Sequence, residues 1–337
     1  MKRYILGRLA VVPFLLIGIV TVAFCVSRLI PADPLASIVG ERQMNNEEIV
    51  NAAKQRWGLD KSVPQQYLLY LKNLVQGDLG ISFRTKQSVV ADLGERIPAT
   101  LELAVAAMVF GGLGGVALGA FSASKKNKPA DHIARIFSLV GSSLPVFWTG
   151  LALLFLLYAR LGWFPGPGRL PARTSPPDHV TGFYTIDALL AGNLKLALQA
   201  LHRLLLPAFV LGWAVMGSIS RLVRASMLDE LHADYVRTAR AKGLRNATVM
   251  RVHVLRNAML PVLTILGFAF ASLLTGAVLT ETIFEWNGVG SYAVAATRSL
   301  DYPAINGVCL FGGLVFLLAN LATDVLYAFA DPKIRLS

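Results

Sequence analysis

Long apolar runs alternate with polar stretches along the chain. Six runs are long enough to matter, near 9–28, 99–122, 134–158, 204–221, 260–280 and 305–329. Crossing roughly 30 Å of hydrocarbon takes about 20 residues at the helical rise. The pattern therefore predicts an all-α integral membrane protein of about six transmembrane helices. The fourth run is the shortest, ending in Ser218, Ser220 and Arg221, and Pro13, Pro145 and Pro207 fall within or at the ends of runs. Residues 29–98 read differently. Trp57, Tyr67, Leu68, Tyr70, Leu71 and Leu74 recur at helical spacing, and Gly58 and Pro64 punctuate them. This predicts a small, mostly helical subdomain between the first two spans. The Pro/Gly-rich stretch 165–177 predicts an extended loop. The chain thus divides into residues 1–28 (N-terminus and first span), 29–98 (subdomain) and 99–337 (core membrane domain), the last carrying a long polar loop at 222–259.

Composition supports the membrane class. Of 337 residues, 55% are hydrophobic and 15% charged, against about 25% charged in soluble domains. The net charge of +12 would suggest nucleic acid in a soluble protein, but Lys and Arg also gather in loops that stay on the cytoplasmic side. Lys2, Arg3 and Arg8, then Lys125, Lys126, Lys128 and Arg135, then the 222–259 loop, then Lys333 and Arg335 alternate correctly for six spans. Both termini and the 222–259 loop are therefore expected in the cytoplasm, and residues 29–98 outside. The N-terminal run is too long for a signal-peptide core and is read as a retained first helix. Cys25 and Cys309 lie in apolar runs without metal-type spacing and read as buried small residues.

The loop carries the most information. Residues 229–242 are good helix formers with acids early and bases late, which suits the helix dipole. Gly243 can supply the left-handed residue that ends a helix, Leu244 the accompanying apolar contact, and Asn246 the cap of a second short helix to about residue 258. Ala239 and Gly243 permit close approach of another surface, Tyr235 and Leu244 offer apolar contacts, and Arg237, Arg240, Lys242 and Arg245 ring them with charge. Such a unit serves equally as a basic segment on anionic lipid or as a docking element for a partner protein.

The string R-T-A-R-A-K-G, followed by H-V-L-R-N-A, resembles the cytoplasmic signature of ABC importer permeases. It is closest to the dipeptide, oligopeptide and nickel branch, whose version resembles D-Y-V-R-T-A-R-A-K-G-L. Further strings match in order: P-A-D-P (31–34), G-D-L-G-I-S (77–82), P-A-T-L-E-L (98–103), S-L-P-V-F-W-T-G (143–150), L-T-E-T-I-F-E-W-N-G-V-G (279–290), D-Y-P (301–303) and D-P-K-I-R (331–335). The family's usual W-P-G is W-N-G here, at Asn287. The resemblance implies an inner-membrane permease for peptides or peptide-like solutes. It implies a second, homologous permease subunit, two ABC ATPase subunits that bind ATP and magnesium, and an extracytoplasmic solute-binding protein. In this family the loop is the coupling helix that docks on an ATPase. Tyr235, Arg237, Thr238, Ala239, Arg240, Lys242, Gly243 and Leu244 are then the expected ATPase-coupling residues.

Other features fit the same picture. The chain has no G-x-x-x-x-G-K-[ST], so it is not expected to cradle ATP itself. No catalytic constellation, metal-ligand spacing or cofactor motif is legible, so the chain is not expected to be an enzyme. Gly111, Gly115 and Gly119 fall on one face of the second span, for helix packing, a pore lining or a subunit interface. Ser142, Ser143 and Pro145 interrupt the third span, either toward a solute pathway or as a packing kink. Glu102, Glu281 and Asp324 are the few intramembrane acids, each read as structural. Two alternatives stand: an ion-gradient-driven secondary carrier, which would want carboxylates nearer the midplane, and an importer of a non-peptide solute such as nickel or an opine.

Overall fold

A computed structural model describes residues 2–29, 35–39 and 44–330. The P-A-D-P and D-P-K-I-R strings, Lys333 and Arg335 lie outside them, as does the side chain of Asp324. The described residues form helices and loops, with one isolated bridge between Ile81 and Ser88. In chain order the helices are α1 (Lys2–Leu29), α2 (Leu35–Val39), α3 (Glu47–Trp57), α4 (Val63–Val75), α5 (Val89–Ser124), α6 (Pro129–Ser143), α7 (Val146–Arg160) and α8 (Tyr184–Leu190). There follow α9 (Leu194–Glu230), α10 (Asp234–Ala241), α11 (Asn246–Thr275), α12 (Val278–Ile283), α13 (Val289–Arg298) and α14 (Tyr302–Ala330).

Among the described residues, five helices are long and apolar enough to cross a membrane: α1, α5, α9, α11 and α14. The third expected span is not a single rod. It breaks into α6 and α7, which meet at 104° around Leu144 and Pro145, so six spans result when this pair is counted as one. Proline has no N–H to continue the ladder and disfavours helical backbone in the residue before it. Leu144 accordingly takes an extended conformation, at φ −74° and ψ 135°.

The fourth run, weakest in sequence, is the longest helix. α9 has 37 residues, about 55 Å at the helical rise. Its apolar window is 61% buried, against 17% for α1 and α14. α9 is therefore the central post, and its interior position lets it carry Arg203, Arg221 and Arg224 within the helix, not in a loop. α5 likewise starts at Val89, ten residues before its apolar run. Pro98 is inside it, and the extra turns hold Val89 and Leu93 in a cluster with Val289, Tyr292 and Ala304.

The glycine face of α5 meets α9. A Cβ added at Gly111 would sit 2.5 Å from the Gly212 carbonyl oxygen; at Gly115, 2.8 Å from Ile219; at Gly119, 2.6 Å from the Ser220 carbonyl oxygen. Gly212 returns the contact, 2.8 Å from the Ala107 carbonyl oxygen. Of the readings open in the sequence, packing within the chain accounts for these three glycines. Ser143 and Pro145 are exposed at the α6–α7 break. The neighbouring Ser142 hydroxyl bonds back to Ser138 and receives the Arg221 guanidinium. The cysteines are free, but Cys25 is exposed on α1 and not buried as its apolar setting suggested.

Among the described residues between α1 and α5, α2, α3 and α4 are helical. Asn46 caps α3 through its side chain, Gly58 ends it at φ 65°, and Pro64 opens α4. Tyr67 and Tyr70 lie against Phe24 of α1, while Leu68 faces out.

Gly111→Ala forces a methyl into backbone and is expected to cost about 1–3 kcal/mol. Gly18→Ala on α1, where nothing lies within 4 Å, is expected to leave stability unchanged. Thermal unfolding of the detergent-solubilised protein checks both.

Candidate coupling site

The 222–259 loop folds differently from its sequence reading, and the difference decides what it can do. α9 runs straight through Asp229 to Glu230, turns over residues 231–233, and α10 begins at Asp234. α10 has two faces. Val236 and Ala239 are buried, one turn apart, among Ile219, Val223 and Met227 of α9, Val249, Val254 and Ala258 of α11 and Ala123 of α5. Arg237, Thr238, Arg240, Ala241 and Lys242 are exposed. Arg240 and Lys242 crowd the C-terminal end, where the helix dipole favours cations. The Arg237–Asp234 pair at 3.7 Å is exposed on both sides and contributes little.

Tyr235 is half-buried, and its hydroxyl donates to Glu230 across the turn. Burial, then the adjacent Glu230 carboxylate, pushes the Tyr235 hydroxyl above its usual range. Gly243 takes φ 75°. Its N–H donates to the Arg240 carbonyl at 2.9 Å and the Leu244 N–H to the Ala239 carbonyl at 3.3 Å. These are the paired bonds of a Schellman C-cap. The left-handed corner stands as the sequence predicts, but Leu244 is 40% exposed and its side chain is available at the surface.

Asn246 is not a cap. Arg245 holds that position without a side-chain bond, and Asn246 opens α11. Nor is there a separate second helix ending near 258: α11 continues unbroken into the next span. A π-helical segment at Val249–Val254 supplies the buried Val249, Met250 and Val254 that seat α10. The eight expected coupling residues therefore sit on one short helix and its glycine corner. Six of them (Arg237, Thr238, Arg240, Lys242, Gly243 and Leu244) are exposed, Ala239 is buried, and Tyr235 is half-buried. α10 packs on both α9 and α11 through Val236 and Ala239.

Sequence reasoning missed the ion pair that frames this end. Asp131, fully buried, receives Arg224 Nε at 2.9 Å and Nη2 at 2.8 Å, the Ser122 hydroxyl, and the Asn127 N–H. It ties the 125–128 loop to α9 one turn before Met227. The partners are 93 residues apart, so nothing local marked them.

At the far end a second buried network joins several of the family-like strings. Glu102 of P-A-T-L-E-L pairs with Arg169 at 2.6 Å and accepts from Thr185. The Thr100 hydroxyl donates to Glu281 at 2.6 Å, and Trp286 Nε1 donates to the Ala99 carbonyl at 2.7 Å. The Ser82 hydroxyl of G-D-L-G-I-S donates to Asp301 of D-Y-P. Glu102 and Glu281 are thus structural, as expected. Asn287 takes φ 53°, a left-handed backbone open to asparagine and closed to proline, which gives the W-N-G departure a physical basis. Among the described residues, no group of acids, histidines and cysteines could hold a metal.

The described residues thus form a set of membrane-length helices, with a short amphipathic helix seated on two of them and presenting a basic face. The chain belongs to the binding-protein-dependent transport system inner membrane component family, whose pattern matches residues 115–336, with the family's N-terminal region matching residues 1–104. The chain is 44% identical over 336 residues to the di/tripeptide transport system permease protein DppB of Pseudomonas aeruginosa, covering 99% of each chain. It is 42% identical over 317 residues to the probable D,D-dipeptide transport system permease protein DdpB of Escherichia coli (94% of this chain, 93% of the relative). It is also 34% identical to the oligopeptide transport system permease protein AppB of Bacillus subtilis, over 99% of this chain and 100% of that one. Among solved structures, the fold resembles the inward-facing methionine ABC transporter MetNI, with a TM-score of 0.54 at 13% identity, covering 71% of this chain and 96% of that one. The protein is an inner-membrane permease subunit.

Asp131→Asn leaves a largely buried guanidinium facing a neutral amide, a change expected to cost about 3 kcal/mol. The expected readout is faster tryptic cleavage at Lys125, Lys126 and Lys128, with a lowered unfolding temperature.

Proposed function

We propose that this chain translocates di- or oligopeptides, driven by ATP hydrolysis on partner subunits that grip α10. The full-length similarity to peptide permeases supports the solute class. The observation that carries the mechanism is the seating of α10: apolar Val236 and Ala239 inward on α9 and α11, basic Arg240 and Lys242 outward. Residues 222–259 and both termini face the cytoplasm, and residues 29–98 form an external subdomain ahead of a core permease domain at 99–337. The assembly pairs this chain with a second homologous permease, two ABC ATPases carrying ATP and magnesium, and an extracytoplasmic solute-binding protein.

ATPase closure would displace α10, and its packing on α9 and α11 would tilt them together as a two-state element biased by nucleotide. Tyr235, Arg237, Thr238, Ala239, Arg240, Lys242, Gly243 and Leu244 make up the coupling surface. Their contributions differ. Ala239 seats the helix and Gly243 turns the chain, Leu244 and Thr238 make contact, and the cations steer and anchor. Glu102 and Glu281 are both taken up in buried hydrogen bonds, whereas a proton-driven carrier would want uncommitted carboxylates near the midplane.

Reconstitution of the chain with its partners should give dipeptide uptake that requires ATP and the binding protein. Ion-driven uptake by this chain alone would sink the proposal. Arg240→Glu and Lys242→Glu are each expected to weaken copurification of the ATPases, read as a reduced ATPase-to-permease ratio on gels. Gly243→Val strains the left-handed corner and is expected to leave assembly and ATP hydrolysis in place while uptake falls about tenfold or more, in keeping with about 1–2 kcal/mol of misplaced backbone.

A further inference from the structure

A cavity of about 380 Å³ lies where α1 and α14 end beneath the subdomain. The ends of the two spans floor it, and α3, α4 and the 77–88 loop roof it. Its walls include Phe24, Arg28, Tyr70, Phe83, Tyr302 and Asn306. Among the described residues, four buried side-chain polar atoms have no hydrogen-bond partner, and three belong to this wall: Arg28 Nη1, Tyr70 Oη and Asn306 Oδ1. The fourth, Arg169 Nε, is part of a guanidinium already paired with Glu102.

Buried polar groups are ordinarily satisfied, and a cluster of three that are not calls for a reason. Loose packing does not supply it. Arg28 Nη2 donates to Gln66 Oε1 at 2.6 Å, and Arg28 Cζ lies 4.3 Å from the Tyr302 ring centroid and 5.0 Å from that of Phe24. The guanidinium is pinned against two rings with one nitrogen uncommitted. Tyr70 is held by its ring against Phe24, at 6.1 Å between centroids. Asn306 is 3% exposed.

A guanidinium and a phenol hydroxyl on the wall of one cavity suit an oxyanion, since both donate. Asn306 Oδ1 accepts, so the ligand also carries a hydroxyl, amine or amide donor. The polar rim adds Lys61 and Asp78, and Leu69, Leu79 and Ile81 supply apolar wall. The size is that of a small-ligand site.

We infer that this cavity binds an oxyanion with a hydrogen-bond donor a few atoms away, the chemistry of a phospholipid head group and equally of a free carboxylate or phosphate solute. The depth favours the head group. Arg28 and Tyr302 are the terminal residues of the candidate spans Ala10–Arg28 and Tyr302–Thr323, the level at which head groups lie in any bilayer these spans cross. The exposed Phe14 and Val22 put the rest of α1 in reach of acyl chains. The site does not depend on which solute the assembly carries or on which side of the membrane the subdomain lies.

The test is native mass spectrometry of the full transport assembly, delipidated in detergent and titrated with phosphatidylethanolamine, phosphatidylglycerol, inorganic phosphate or alanyl-alanine. Wild type is expected to retain phospholipid. Arg28→Gln and Tyr70→Phe should each weaken retention about tenfold, as loss of one charge-assisted hydrogen bond predicts. Displacement of lipid by phosphate or alanyl-alanine would assign the site to a free oxyanion; failure to displace it would assign the site to the head group. Tyr70→Phe removes one oxygen and keeps the ring, so it tests the site even if Arg28→Gln fails to assemble. Equal retention of every probe by wild type and both variants, or equal retention of diacylglycerol lacking phosphate, would overturn the inference.

Discussion

How closely α9 lies against α5 sets everything else in this molecule. In lipid the hydrophobic effect does not press helices together, so backbones must approach closely enough for dispersion and weak polar contacts to hold them. Gly111, Gly115, Gly119 and Gly212 strip the side chains from the crossing. With α9 fixed there, its two ends fall where the two specialised regions need them. One end packs Leu196 and Ala197 against Ala188 and Leu170; the other carries Val223 and Met227 beneath α10.

The buried charges belong to the same construction. Burying an ion pair stabilises little by itself, because desolvation offsets the attraction, but removing one partner is costly. Glu102–Arg169 and Asp131–Arg224 join elements 67 and 93 residues apart. Their contribution is therefore to register: each admits one arrangement of loop against helix. The first fixes the 169–185 segment on α5 at the subdomain end, and the second fixes the short loop beside α10 at the other. The first pair acts on α5 and the second on α9, so each of the two crossing helices is tied to a distant segment of the chain.

The membrane class and the glycine corner were legible from apolar run length and one glycine after a basic turn, and helical spacing marked α3 and α4. The basic face of α10 was legible because its cations are local in sequence, but Ala239, read as open to another surface, is buried with Val236 against α9 and α11. Three things were not. Ser142, Ser143 and Pro145 marked an interruption of the third span, but not that it reaches 104° between α6 and α7. The length of α9 was hidden because its arginines interrupt the apolar run, and burial against partners such as Asp131 allows them into the helix. The continuity of α11 through residues 246–258 was hidden because Asn246 is an ordinary capping residue, and tertiary seating of Val249 and Val254 outweighs that preference. Arg169 and Asp131 carried no signal at all, since their partners come from distant segments.

At Gly243 nothing lies within 4 Å of where a side chain would begin, yet the backbone is left-handed. The constraint at this position is one of chirality and not of bulk. A mirror-image alanine would fit the corner as well as glycine and would lose less freedom on folding, whereas its natural enantiomer would strain it. Among the encoded residues, asparagine is the least costly substitute. The corner therefore leaves open space above itself while dictating the torsion beneath, so another protein's surface can close over this point without meeting a side chain.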